Sequence, residues 1–260
     1  MEVLKKWINP MYLNPEYIEV LKETVKAKPE VKYLVLDNFF NEDVLEELIE
    51  VHQTLEFSEA ADRVTPDGTV LPYDGSVNFA TPDHFGGDLF FSQEWHDYAS
   101  DLVNLKIEHP RGTDIKLRMH DTDAEGFWIH TDAQAGVFGR DIVIIGYFNK
   151  DWKAEDGGLL QLWRVEEDCA PGILHVNPSM ANIRMDFLTE NVRLNVSGPG
   201  GGFANEQKNN EDLVLIDQVV PVYNRVFICN FKENPTYHSV TPSNGKPRQN
   251  FVQWIYSTNQ

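Results

Sequence analysis

GFWIHTDAQAG, residues 126–136, runs from an apolar segment into a histidine and an aspartate two positions apart, and then into a loop of small residues. Its aromatic and β-branched residues favour a strand. In a strand, side chains at i and i+2 share a face, so His130 and Asp132 project together, about 6–7 Å apart at the backbone. Such a pair is half of a metal site or an accident of composition. Eight histidines and twenty aspartates in 260 residues yield roughly 0.6 His-x-Asp pairs by chance. Other residues have to decide.

The composition suits a globular enzyme. A hydrophobic content of 42% with 12% aromatics is enough for a packed core and argues against disorder. One domain over residues 1–260 is expected at this length. The sequence holds no apolar run long enough for a transmembrane helix, and MEVLKKWINP lacks the apolar core of a secretory signal. Cys169 and Cys229 read as reduced, buried thiols, which points to a cytoplasmic location. The net charge of −19 is concentrated in residues 38–130, where twenty acids face five bases. That field excludes nucleic acid and anionic membranes as partners. It either solvates the surface or favours a cationic substrate.

Helical periodicity appears in PEYIEVLKETVKAK (15–28), in NEDVLEELIEVHQ (41–53) with Asn41 as N-cap, and in QEWHDYASDLVNLK (93–106). VKYLVLD (31–37) reads as a strand, and residues 57–92 as a long, loop-rich cover. From residue 114 the chain turns into short strands: DIKLRMH, GFWIHTD, DIVIIGYFN, GLLQLWR, RVFICNF, TYHSVTP and QNFVQWIYS. DIVIIGYFN is apolar on both faces and should be central. The expected fold is α+β and mainly β, a double-stranded β-helix (jelly roll) at 114–257 with N-terminal supporting helices in 1–113. An insertion at about 165–222 carries weaker strand signals (NIRMDFL, VRLNV, LVLIDQVV) and the tract SGPGGGFANEQKNNED (197–212). That tract is expected near the mouth of the barrel, closing over a substrate.

Two late strands complete the constellation. His238 lies in TYHSVTP, and Arg248 lies ten residues on in KPRQNFVQW. Two imidazoles and one carboxylate form the facial set that holds iron(II) with open positions for cosubstrate and dioxygen. Arg248 adds a permanently charged fork suited to a carboxylate. On a strand, it shares a face with Val252 and Trp254 and would otherwise be an unexplained buried charge.

These motifs resemble the iron(II)/2-oxoglutarate-dependent dioxygenases, in particular the prolyl 4-hydroxylase-like branch. GFWIHTD is similar to that family's Gly-x-x-x-His-x-Asp stretch, and GYFNKDWKAEDGGLLQLW to its Tyr-Leu-Asn-x-x-Trp segment with the following Gly-Gly strand. VYNRVFICNFKENPTYHSVTP resembles the strands around the distal histidine, and PRQNFVQWIYS the strand of the cosubstrate arginine. The resemblance implies His130, Asp132 and His238 as metal ligands and catalytic centre. It implies Arg248 and Tyr147 as partners of the distal carboxylate of 2-oxoglutarate. His120 stands where the oxygen-sensing relatives carry tyrosine, and either touches the other end of the cosubstrate or is a core histidine. Asn250 stands where many relatives have serine, and Leu159 follows the Gly-Gly in place of a frequent Glu. The implied cofactors are Fe(II), 2-oxoglutarate and O2, with ascorbate as an accessory reductant.

The expected reaction is hydroxylation of an unactivated C–H bond with release of succinate and CO2. The carboxylate of Asp132 favours it over halogenation, because related halogenases carry Gly or Ala there. A small metabolite, such as an amino acid or biosynthetic intermediate, is the first substrate reading. A prolyl or other residue of a protein is the second, and a non-enzymatic ligand-binding jelly roll is the third.

Overall fold

The structure, a computed structural model, describes residues 2–59, 63–64, 70–71, 77–80, 85–106, 111–124, 126–130, 138–165, 213–233 and 237–258. Asp132, Cys169, the segments NIRMDFL and VRLNV and the tract 197–212 lie outside the described residues. In chain order the elements are α1 (Glu2–Trp7), a 3-10 turn (Pro10–Leu13), α2 (Pro15–Ala27), β1 (Lys32–Leu36) and α3 (Glu42–Thr54). The short strands β2 (Ser58–Glu59), β3 (Arg63–Val64), β4 (Val70–Leu71) and β5 (Val77–Ala80) follow, then α4 (Gly87–Phe90) and α5 (Gln93–Leu102). The remainder is strand: β6 (Arg111–His120), β7 (Phe127–His130), β8 (Phe138–Tyr147), β9 (Leu160–Val165), β10 (Leu213–Val219), β11 (Arg225–Asn230), β12 (Tyr237–Val240) and β13 (Arg248–Thr258).

The helices begin where short polar side chains can satisfy free amides. Asn14 accepts from the amides of Glu16 and Tyr17 ahead of α2, and Pro15 occupies its first turn. Ser92 accepts from the amide of Trp95 ahead of α5. Asn41 precedes α3 but caps nothing with its side chain. Its Nδ2 donates instead to the carbonyls of Lys5 (3.2 Å) and Lys6 (2.8 Å) near the end of α1. A tertiary partner thus replaces the expected local one. Helix α5 ends at Leu102, short of residue 106, and Asn104 adopts φ +54 just beyond it.

The strands form two main antiparallel sheets. One has the order β1-β11-β8-β13-β6-β5-β2 and the other β10-β9-β12-β7. β8 lies between β11 and β13, with its two faces buried in different apolar layers. Ile142 and Ile144 join the core that includes the helices, among them Trp7, Leu45, Phe90 and Trp95. Val143, Ile145 and Tyr147 join a second core with Leu160 and Leu162 of the smaller sheet and with Phe227, Val252 and Trp254. The period of two along an all-apolar strand therefore builds two cores at once. Part of the stretch read as a loop-rich cover is sheet: β5 pairs with β6, setting Val77 opposite His120 and Phe79 opposite Arg118. Among the described residues no helix is long and apolar enough to cross a membrane.

Candidate active site

The second core opens into a cavity of about 470 Å³, counting the part open to solvent. Apolar side chains, five of them from β8, β9 and β11, make most of its wall, and the polar groups on it are Arg118, His238, Arg248 and Asn250. These come from three strands. β12 supplies His238, β13 supplies Arg248 and Asn250, and β6 supplies Arg118.

Register brings the distant motifs together. His238 and His130, 108 positions apart in the chain, are paired residues of neighbouring antiparallel strands. β7 ends at His130, and Asp132 lies outside the described residues. Among the described residues no set of three ligating side chains is assembled. His238 itself is 8% exposed, with its ring 5.8 Å from that of Phe231.

Arg248 is 2% exposed and held at three points. Its Nε donates to the carbonyl of Gly158 (2.9 Å), and its Nη1 donates to Oδ1 of Asn250 (2.7 Å) and to Nε2 of His120 (3.1 Å). Its guanidinium carbon lies 5.2 Å from the centre of the Tyr147 ring. Among the described residues no carboxylate pairs with it. The Tyr147 hydroxyl is buried without a well-aligned hydrogen bond, although it feels the same guanidinium. Burial raises the Tyr147 pKa, and the charge of Arg248 opposes that rise. Burial also pulls Arg248 down to about 10, with the charge of Arg118 adding to the fall, so the group stays charged at neutral pH.

His120 was legible only as a histidine of two possible uses; the structure sets it opposite Arg248 in the β6–β13 ladder. A guanidinium can only donate, so Nε2 of His120 must accept and the proton resides on Nδ1. Burial, then the charges of Arg248 and Arg118, hold its pKa well below the usual histidine value. A second buried histidine, His52 of α3, hydrogen-bonds through Nε2 to the carbonyl of Arg118 (3.2 Å), and burial lowers its pKa as well. Both histidines are neutral in the fold, whereas in the unfolded chain they titrate near 6.5.

The unfolded state therefore takes up more protons as pH falls, and stability, full above about pH 6.5, declines below it. The denaturant midpoint should drop between pH 7 and pH 5, each histidine adding at most about 1.4 kcal/mol per pH unit. The difference between the parent and His52→Asn cancels the other charges, and the variant should show the shallower decline. Equal slopes would assign the pH dependence to other groups.

The sequence alone does not mark Gly158, Asn250 and Arg118 as parts of this site. Gly158 has φ +62, and a Cβ there would sit 2.7 Å from Cδ of Arg248. The Gly-Gly motif was visible in the sequence, but the side chain that needs the space was not. In the sequence Asn250 reads only as a departure from the family's serine; in the structure its Oδ1 accepts from Nη1 of Arg248.

The arrangement of two antiparallel sheets is similar in fold to solved prolyl hydroxylases and other 2-oxoglutarate–iron(II) oxygenases. A prolyl-4-hydroxylase from Pseudomonas putida aligns with a TM-score of 0.54 at 14% identity, covering 93% of this chain and 100% of the other. A prolyl hydroxylase from Trichoplax adhaerens, solved with a hypoxia-inducible-factor peptide, aligns at 0.53 and 14% identity, covering 95% and 92%. HygX from Streptomyces hygroscopicus, solved with nickel, 2-oxoglutarate and hygromycin B, aligns at 0.51 and 11% identity, covering 92% and 87%. At these identities the likeness is one of fold. No family model matches the sequence, and no curated protein matches it by sequence.

Proposed function

We propose that this chain is an iron(II)/2-oxoglutarate-dependent dioxygenase that hydroxylates a C–H bond of a small metabolite. One observation carries the cosubstrate reading: a buried guanidinium without a carboxylate partner among the described residues lines the same cavity as His238. Burying an uncompensated charge is costly, and an anionic ligand removes that cost. The unbonded Tyr147 hydroxyl beside it is a donor for the same ligand carboxylate. The residues present therefore fit 2-oxoglutarate.

His130, Asp132 and His238 would hold the iron, with His130 and His238 favoured by their pairing across β7 and β12. Bound iron and 2-oxoglutarate supply the oxidation, in which dioxygen is split between the new hydroxyl group and succinate as CO2 leaves. The work of the chain is binding and orientation. Arg248 and Tyr147 grip the distal carboxylate; His120, neutral and protonated on Nδ1, and Asn250 fix the plane of the guanidinium. The apolar wall of Val143, Ile145, Leu160 and Leu162 limits water.

A second reading, hydroxylation of a prolyl residue in a protein, draws support from the likeness of fold to two solved prolyl hydroxylases. Incubation with iron(II), 2-oxoglutarate, ascorbate and oxygen against metabolite and peptide pools separates the two. A product heavier by one oxygen atom in the metabolite pool supports the first reading. The same shift on peptide proline alone supports the second, and no 2-oxoglutarate-dependent product in either pool defeats both.

Gly158→Ala tests the floor of the site. A side chain at positive φ costs about 1–2 kcal/mol, and here it also displaces Arg248. Loss of stability of that order should accompany weaker 2-oxoglutarate binding. Unchanged affinity would show that the Gly158 contact does not position the guanidinium.

A further inference from the structure

Arg248 can grip a ligand only in the orientation that its own contacts set. Its Nε donates to the carbonyl of Gly158, and Nη1 donates to both Asn250 and His120. Of the five N–H donors of a guanidinium, these bonds among the described residues leave the two on Nη2 for an anion. A grip through one end of a planar group tolerates little rotation, so the aim of Arg248 depends on where the Gly158 carbonyl points.

That carbonyl belongs to a turn of two glycines, Gly157 and Gly158, at φ +71 and +62, whose backbone no side chain of its own restrains. Each peptide unit of the turn is instead bonded at both ends. In the Gly157–Gly158 unit, the carbonyl accepts from Nε1 of Trp152 (3.0 Å) and the N–H donates to the carbonyl of Pro242 (2.9 Å). In the next unit, the Gly158 carbonyl accepts from Arg248 and the N–H of Leu159 donates to Oγ1 of Thr241 (2.9 Å). The indole of Trp152, 6% exposed, also backs the turn. A Cβ on Gly158 would lie 3.3 Å from Cζ2 of Trp152 and 2.7 Å from Cδ of Arg248, so both side chains pack into the space a Cβ would take. Lys246 pairs with Asp156 (2.8 Å) and ties the start of the turn to the chain entering β13.

Building on the reading of Arg248 as the 2-oxoglutarate anchor, we propose that Trp152 and Thr241 are positioning residues for the cosubstrate. They clamp the two-glycine turn so that the Gly158 carbonyl holds the guanidinium of Arg248 aimed at the distal carboxylate. Neither is among the described residues that line the cavity. Both act through Arg248, and therefore on one end of the ligand alone.

The test measures, by calorimetry on the anaerobic protein loaded with iron(II), the binding of two probes. One is 2-oxoglutarate. The other is 2-oxopentanoate, which has the same five-carbon chain with a methyl group in place of the distal carboxylate. The parent should prefer 2-oxoglutarate. Trp152→Phe keeps an aromatic ring and removes the N–H, and Thr241→Val keeps the branched shape and removes the hydroxyl. Each should lose about three- to tenfold in affinity for 2-oxoglutarate, the order of one hydrogen bond, with no loss for 2-oxopentanoate. A merely structural role would lower both affinities together, or only the melting temperature, so the ratio of the two isolates the distal end. Far-ultraviolet circular dichroism reports that the fold persists, and Thr241→Val carries the test if Trp152→Phe does not fold. The clamp is overturned if a folded variant keeps the parental ratio or loses the two probes equally. A parent that binds both probes alike, or neither, overturns the anchor reading of Arg248 and the clamp with it.

Discussion

His238→Ala and His130→Ala should each bring iron-dependent succinate production to background while the protein stays folded. Each removes one of three proposed ligands, so the loss should go well beyond the about 10–100-fold typical of residues that merely orient a ligand. The fold should persist because the β7–β12 and β9–β12 ladders are built from backbone groups. Among the described residues, the larger apolar core, from Leu4 to Ile255, is built without His238. Iron binding measured on the purified variants should fall with activity, while the denaturant midpoint shifts by no more than an ordinary single substitution, about 1 kcal/mol. Near-parental succinate production by either variant would remove that residue from the metal site.

Arg248→Ala should weaken 2-oxoglutarate binding by more than any other single change outside the metal ligands. Truncating one member of a buried, hydrogen-bonded charge pair costs about 2–5 kcal/mol, or roughly 30- to 5,000-fold in affinity. Tyr147→Phe removes a single neutral donor and should cost about 0.5–1.5 kcal/mol. The protein need not be active for this to be read. A ligand at about 100 times its dissociation constant stabilises the folded state by about 2.7 kcal/mol, so 2-oxoglutarate should raise the parent's melting temperature. It should barely move that of Arg248→Ala. The variant also leaves the Gly158 carbonyl, Asn250 and His120 without their donor, so some loss of intrinsic stability is expected beside the loss of the ligand response. An undiminished ligand-induced shift in Arg248→Ala would place the cosubstrate elsewhere.

Local chemistry explains what could be read from the residues in order. The all-apolar run Ile142–Ile145 announces a strand covered on both sides, and β8 has that position. The alternation that puts Arg248 on the face of Val252 and Trp254 predicts a buried guanidinium, and the side chain is 2% exposed. Strand alternation and helix periodicity involve neighbours a few residues apart, so they survive in a one-dimensional sequence. The short strands β2 and β5 escaped because two to four residues carry too little pattern, and pairing with β6 supplies what their own sequence lacks.

Cross-strand register was decided only by the tertiary structure, because no local pattern records which residue faces which. Register sets His130 opposite His238 and His120 opposite Arg248. It also brings Phe79 beside Arg118, so an arginine that reads as one more charge on an amphipathic strand becomes part of the cavity wall. The sign of the site followed the same route: the sequence carries a net charge of −19, whereas burial selects two arginines for the described wall of the cavity. Net charge is a sum over all residues, but a ligand in a cavity of low dielectric responds to the few charges that line it.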